Sequence, residues 1–427
     1  MRVYLRTLGC RANHYDTEAV REMIEMSGHA VVASAREADV AVFNSCAVTS
    51  EAEAELRKLV RRAAREQPAL RSVVMGCAAA LDEERPERLR ARALPTVAHV
   101  IGGADLPAVA RALDLEMPVG ALTRRQTGTR ALLRIQDGCD EHCTFCATTM
   151  ARGANRSRGV NELVREAGIL AERHAEVVIT GIHIGTYGHD IGTSLGVLMQ
   201  RLVCDVPDVR FRLSSIEATE IDVDLFELFV SEPRRVAPHI HAPLQSGSDR
   251  VLRRMGRNWY TAATYSAALE RLAEHVPVLG LGADVISGFP GETDADHAAT
   301  LALIERLPFT YLHVFPYSAR PGTAAERLGD RVASSIALRR AADLRALAAR
   351  KTAAHQAARV GGSADVIVVG NANTRTGMTE DFLTVAIGDP ARGRNERFSA
   401  RLLQRDAALV AVDINAPTCE FSEPVAS

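Results

Sequence analysis

The densest reactive chemistry in the chain lies in one run, Gly138-Cys139-Asp140-Glu141-His142-Cys143-Thr144-Phe145-Cys146. Three thiolates spaced C-x3-C-x2-C hold three irons of a [4Fe–4S] cluster and leave the fourth iron open to another ligand. Zinc is the alternative, because structural zinc wants four ligands and His142 lies inside the run. The spacing favours iron–sulfur. A second set is dispersed: Cys10, Cys46 and Cys77 close the strand-like runs RVYLRTLGC, DVAVFNSC and SVVMGC. Strands of one parallel sheet end along one edge, where sequence-distant thiols can converge. A lone free cysteine is usually a small buried hydrophobe. Three in equivalent positions, two of them after glycine, read instead as a second metal site. Eight cysteines in so long a chain argue for metal or redox chemistry over a disulfide framework. Cys204 and Cys419 fit no pattern and read as structural or incidental.

These loops need strands and helices to hold them. Residues 1–113 alternate strand-like Arg2–Gly9, Asp39–Asn44 and Ser72–Gly76 with helical spacing over Asp16–Met26 and Glu51–Arg65, which predicts a small parallel α/β domain. Residues 114–128 read as a linker, with no periodicity over Pro118–Gly128. Within 129–355 the strand candidates are Leu132–Gln136, Val177–Thr180, Phe211–Ser214, His239–Pro243, Leu281–Ile286 and Tyr311–Phe315. Helical patterns such as Val160–Arg173 and Thr261–Glu274 separate most of them. Six βα units predict a partial (β/α)6 barrel, since a full eight-stranded one typically takes about 250 residues. Residues 361–427 turn to short strands (Ala364–Val369, Phe382–Ile387, Ala400–Gln404 and Ala408–Asp413) between turns, the pattern of a small β-barrel. The expected fold class is therefore α/β, with that barrel appended.

Composition narrows the function classes. A chain 47% hydrophobic and 24% charged is ordinary for globular proteins, which excludes collagen-like, disordered and coiled-coil types. No apolar run approaches the roughly 20 residues of a membrane span, and the N-terminal residues lack a signal-peptide pattern, so a cytoplasmic location is expected. The formal charge of -2 rules out a general polyanion binder. A basic stripe, Arg57, Lys58, Arg61, Arg62 and Arg65, reads equally as a phosphate contact or a solvated helix face.

The C-x3-C-x2-C run with Phe145 before its last cysteine resembles the signature of the radical S-adenosylmethionine (SAM) enzymes, whose partial barrel agrees with the six units. That resemblance implies SAM chelated at the open iron and reductive cleavage to a 5′-deoxyadenosyl radical. Thr7-Leu8-Gly9-Cys10-Arg11-Ala12-Asn13, Asn44-Ser45-Cys46-Ala47-Val48-Thr49 and Gly76-Cys77 narrow it to the methylthiotransferases. Ala151-Arg152-Gly153, Arg156-Ser157-Arg158, Thr180–Gly188, Arg212–Glu217, His241–Ser248, Met255-Gly256-Arg257 and Asp284–Thr293 continue the match over essentially the whole chain. Thr149-Met150 and Ala242 depart from the family wording, and neither position offers a cluster ligand. Gly377–Val385 resembles the turn of the TRAM domain, a small barrel that binds RNA in this family.

The resemblance implies two [4Fe–4S] clusters, a radical one on Cys139, Cys143 and Cys146 and a sulfur-donating one on Cys10, Cys46 and Cys77. It also implies contacts to SAM or substrate by Gly181, Glu217, Gln245, Arg257 and Gly288. Ordinary turn chemistry for the glycines, and a Glu217–Arg257 ion pair across strand ends, stand beside that reading. The implied partners are a tRNA substrate, a flavodoxin- or ferredoxin-type electron donor and a sulfur source, with no membrane. The branch acting on isopentenyl-adenosine in tRNA reads Tyr-Gly-Cys-Gln around the first cysteine, and the ribosomal-protein branch reads Gly-Cys-Pro-Lys. Leu8-Gly9-Cys10-Arg11 with Val48-Thr49 resembles the branch that adds methylthio at C2 of threonylcarbamoyladenosine beside the tRNA anticodon. The rival from another class is a non-catalytic RNA-binding protein that uses its metal sites only as staples.

Overall fold

The computed structural model describes residues 1–47, 50–84, 91–116, 126–370, 374–389, 391–406 and 408–414. Val48-Thr49, most of the linker and Cys419 lie outside these residues.

Five parallel strands open the chain: β1 (Arg2–Thr7), β2 (Ala30–Val32), β3 (Val40–Ser45), β4 (Arg71–Gly76) and β5 (Val97–Gly102), in the order β2-β1-β3-β4-β5. The three central strands are those expected from the sequence. Every residue of β3 is buried, as a parallel sheet covered on both faces requires. Helix Arg11–Met26 begins immediately after Cys10, five residues before the expected Asp16, so Asn13 falls in its first turn.

The middle of the chain contributes β6 (Ala131–Arg134), then the two-stranded hairpin of β7 (Gln136–Asp137) and β8 (Arg156–Ser157). It continues with β9 (Glu176–Thr180), β10 (Arg210–Leu213), β11 (His239–His241), β12 (Gly280–Ser287) and β13 (Tyr311–Pro316). Parallel ladders run β6-β9-β10 and β11-β12-β13, and bridges Phe211–Val236 and Ser215–His241 join the two halves. The six expected strands thus form one open, partial barrel.

Alternation along these strands decides what lines it. Ala131, Leu133, Val177, Ile179, Phe211, Leu213, Ile240, Leu281, Ala283 and Val285 belong to the apolar core shared with the surrounding helices. The intervening residues face the barrel interior, and they are largely polar: Arg134, Glu176, Thr180, Arg212, His239, His241, Asp284, Tyr311 and His313. The Tyr311 ring lies flat on Gly282, where a Cβ would stand 2.0 Å from its Cζ.

After helix Ser334–Arg359, strands β14 (Ser363–Val368), β15 (Thr376–Met378), β16 (Thr384–Ile387), β17 (Arg397–Arg405) and β18 (Ala408–Asp413) close a small barrel in the order β14-β15-β16-β18-β17. It docks on the partial barrel at the N-terminal ends of the parallel strands. Arg212 donates to the carbonyls of Glu380 and Thr379, both at 2.9 Å, and Phe382 stacks on His239 at 4.3 Å. A Cβ at Gly280 would meet the Asp381 carbonyl oxygen at 2.1 Å. The Gly377–Val385 turn is therefore committed to holding domains together. Among the described residues, no helix is long and apolar enough to cross a membrane.

Candidate functional site

The Cys139 loop is the connection between β7 and β8. Gly138 turns it at φ +74, with the Ala154 carbonyl so close that a Cβ would sit 1.9 Å from its oxygen. The Cys139 amide donates to the Gly153 carbonyl at 3.0 Å, and Thr144 donates to the carbonyls of Met255 (amide, 2.8 Å) and Arg254 (hydroxyl, 2.9 Å). Cys139, Cys143 and Cys146 stand beside His183 Nδ1 (3.6 Å), Arg257 Nη1 (3.7 Å) and Thr148 Oγ1 (3.0 Å) respectively. Burial pushes the Cys143 thiol up to about 12, against the pull of the Arg257 charge. Burial would lower His183, yet its bonds to Cys139 and Glu220 outweigh this and raise it to about 10.

Arg257 is itself buried. It pairs with Glu217, reaches the Tyr260 hydroxyl at 2.9 Å and lies over the Trp259 ring at 4.7 Å. The ion pair across strand ends is thus formed, directly beside the Cys143 thiol. Gln245 holds a left-handed φ of +61 and bridges to Val285, which places it on the same rim. Gly181 and Gly288 meet the protein's own atoms: a Cβ would stand 2.9 Å from Gln136 Oε1 and 2.3 Å from Ala337 Cβ. Packing accounts for both glycines.

The other triad forms where β1, β3 and β4 end. Gly9, at φ +98, packs so tightly on Cys46 that a Cβ would fall 2.7 Å from its Sγ. Asn13 is the hub. Its Nδ2 donates to the carbonyls of Leu8 (2.8 Å) and Ser45 (2.9 Å), and its Oδ1 faces Cys77 Sγ at 3.8 Å and Cys10 Sγ at 4.0 Å. Burial raises the Cys77 thiol to about 11, opposed by the Arg152 guanidinium, whose Nε donates to Sγ at 3.1 Å.

Arg152 also donates to Asn13 Oδ1 (2.7 Å), Asp16 (3.0 Å) and Asp137 (2.9 Å), and Asp137 directly precedes the Gly138-Cys139 turn. One buried guanidinium therefore touches the strand-edge thiols and the base of the Cys139 loop. Asn13, Arg152 and His183 fall inside the sequence motifs without an assigned role there, and Asp137 and the barrel-lining His313 fall outside them.

Each donor set fits a [4Fe–4S] group. Three thiols gather beside a guanidinium that offsets thiolate charge, and the remaining described cysteine, Cys204, lies exposed on helix Leu195–Asp205. Among the described residues, the atoms close enough for a single ion, within 4.8 Å of one another, are those of His241, Asp284 and His313, not either cysteine set. Hydrogen bonds from both histidines hold the Asp284 carboxyl well below the usual range despite its burial. On the basic stripe, Lys58 and Arg62 pair with Glu55 and Glu66 of their own helix.

Comparisons with known proteins follow this division. Residues 2–102 match the Uncharacterized protein family UPF0004 and residues 133–304 the Radical SAM superfamily. The chain is 37% identical over 358 residues to the threonylcarbamoyladenosine tRNA methylthiotransferase MtaB of Bacillus subtilis, covering 78% of this chain and 77% of that protein. It is 34% identical to the protein of the same name in Aquifex aeolicus (82% and 88% covered). Identity is also 34% to a tRNA-2-methylthio-N(6)-dimethylallyladenosine synthase of Sorangium cellulosum (88% and 83%). Among solved structures, the radical SAM methyltransferase TsrM of Kitasatospora setae aligns with TM-score 0.51 at 13% identity, covering 74% of this chain and 72% of that one, a likeness of fold alone.

Proposed function

The chain belongs to the methylthiotransferases of the radical SAM superfamily, and on that premise we propose that it adds a methylthio group at C2 of N6-threonylcarbamoyladenosine in tRNA, beside the anticodon. The observation that carries this reading is the pair of thiol triads joined through Arg152. A plain radical methylation has no use for the second one. Relatives named for threonylcarbamoyladenosine support the branch.

When bound, the two [4Fe–4S] clusters and SAM supply the one-electron chemistry, the sulfur and the methyl group. The protein's part is to hold and shield. Cys139, Cys143 and Cys146 hold the radical cluster, and Cys10, Cys46 and Cys77 hold the sulfur-donating one. Arg257, fixed by Glu217 and Tyr260, keeps a positive charge against Cys143, and Arg152 does the same for Cys77. Glu217 and Gln245, on the rim, orient SAM. The C2–H bond of adenine has no acidic proton, so acid–base groups cannot break it, and the partial barrel, capped at its base by the docked small barrel, keeps water from the reactive species. An anticodon-loop base is already accessible and needs only to be splayed into the chamber. Turnover draws on a flavodoxin- or ferredoxin-type reductant and a sulfur source in the cytoplasm.

Nucleoside mass spectrometry of tRNA from cells lacking the protein tests this. The methylthio form of threonylcarbamoyladenosine should vanish while its parent accumulates. Loss of the isopentenyl derivative, or of mass from a ribosomal protein, would move the enzyme to another branch.

A further inference from the structure

Along β13 the side chains of Tyr311, His313 and Phe315 point the same way, into the partial barrel. Tyr311 is committed: its hydroxyl meets His239 Nε2 at 2.9 Å and His241 Nδ1 at 3.0 Å, and its ring lies 5.4 Å from that of Phe382. His313 stands one step nearer the rim, opposite Asp284, its register partner on β12. Its Nδ1 donates to Asp284 Oδ1 at 3.2 Å, the same oxygen that His241 Nε2 reaches at 3.0 Å. Three rings hold the imidazole in place: His241 at 5.1 Å between centroids, Tyr311 at 5.4 Å and Phe315, edge-on, at 6.4 Å. Its other nitrogen, Nε2, has no partner among the described residues, and the side chain is 54% exposed.

The other basic side chains that line the barrel are taken. Arg134 pairs with Asp16 and Asp137, and Arg212 with Glu176 and two backbone carbonyls. His241 uses both ring nitrogens, on Tyr311 and Asp284. His239 is buried against Phe382 and spends Nε2 on Tyr311. On the rim, Arg257 is paired with Glu217. Among these groups, a ligand entering the barrel meets one uncommitted basic nitrogen, His313 Nε2.

A carboxylate behind one ring nitrogen fixes the orientation of an imidazole and stabilises its charged form. With Nδ1–H given to Asp284, a proton on Nε2 makes a cation that points into open space and pairs with an anionic group by a charge-assisted hydrogen bond. If the substrate is the nucleoside proposed above, its threonyl group brings a free carboxylate, whereas an isopentenyl group brings none. We propose that His313 is a specificity-determining residue whose Nε2–H donates to the threonyl carboxylate of the substrate base. The assignment rests on that reading of the substrate. Phe315, the next inward side chain, is 42% exposed and offers a flat apolar face on which a splayed adenine stacks while its N6 substituent reaches His313. A backbone phosphate offers the same charge, but Nε2 opens inside the barrel, where a base arrives and the RNA backbone does not.

The test uses the full-length enzyme reconstituted with both clusters and three anticodon stem-loop RNAs. One carries threonylcarbamoyladenosine, one its threonine carboxamide and one isopentenyl-adenosine. Binding is read by fluorescence anisotropy and product by mass spectrometry. The wild type should prefer the acid over the carboxamide by about 10–100-fold in kcat/KM, mainly through KM. H313Q, which places a neutral amide near Nε2, should lose that preference while turning over the carboxamide within about threefold of wild type. H313R, which restores a cation, should recover most of it. Iron content checks that each variant is folded, and H313N repeats the test with a smaller side chain should H313Q fail that check. Equal loss on acid and carboxamide in a folded variant would mark a phosphate contact and overturn the assignment, as would a preference unchanged in H313Q. A wild type that modifies the threonylcarbamoyl RNA with no preference for the acid overturns the assignment alone. One that ignores that RNA and modifies the isopentenyl one overturns the proposed function as well.

Discussion

The Cys139 loop carries its three thiols within one eight-residue run and is tied to its own hairpin and to the Arg254–Met255 backbone. Cys10, Cys46 and Cys77 meet only because three strand ends of a five-stranded sheet line up around Asn13. The first set stays within one short run of chain whatever the rest of the fold does. The second has no existence apart from the sheet. A local site tolerates damage elsewhere, whereas a distributed one makes metal binding and folding of its domain a single event.

The sharpest way to break this contrast is to delete each set. C139A/C143A/C146A should abolish SAM cleavage and lower iron from about eight to about four atoms per chain in anaerobic reconstitution. 5′-Deoxyadenosine still formed by that variant would dislodge the radical site from this loop. C10A/C46A/C77A should lose the same iron and all methylthio product while still cleaving SAM. Because its sheet end loses a metal anchor, its melting temperature should fall further than that of the first variant. Equal melting shifts would erase the proposed difference between local and distributed sites.

R152A probes the link between the two. It removes the most buried cation beside Asp16, Asp137 and Cys77 while Arg134 still pairs with both carboxylates, so denaturant unfolding should show a loss of about 1–3 kcal/mol. R152K, which keeps charge without the fork, should recover part of it. Stability within about 0.5 kcal/mol of wild type would mean that the guanidinium couples nothing. F382A should have the smallest effect, about 2 kcal/mol from lost stacking and burial, with iron content unchanged because the ring contacts of Phe382 are with His239, Tyr311, Arg130 and Arg212 and not with a cysteine loop. A drop in iron would show that the docked barrel supports the clusters.

What was legible in the sequence follows the same division. The C-x3-C-x2-C run needs no fold to be read, and the six barrel strands announce themselves as short apolar runs between helical stretches. Strands β2, β5, β8 and β15 escaped, two as edge strands, β8 as a two-residue pairing and β15 as three residues containing a glycine. Asn13 escaped because Cys10 caps its helix without a side-chain bond, so the start carries no capping signature and looked like the tail of a strand. The turn resembling an RNA-binding motif is packed inward by Arg212, His355 and Arg359, partners that its local sequence cannot reveal. Gly181 and Gly288 carry no mark distinguishing room for a ligand from room for Gln136 or Ala337.

The small barrel that docks beneath the parallel strands has a consequence for biosynthesis. The ribosome delivers the strand-edge triad first and the Cys139 loop next, while the Glu380–Phe382 turn that covers the base of the partial barrel emerges only near the end. Domains generally fold in order of synthesis, at about 5–20 residues per second. For several seconds the nascent chain therefore presents Arg212, His239 and Glu176 to solvent through an open base. A ribosome stalled before residue 380 should hold a chain whose barrel interior is reached by protease and by dioxygen from below, and completion of the last strands should close that route.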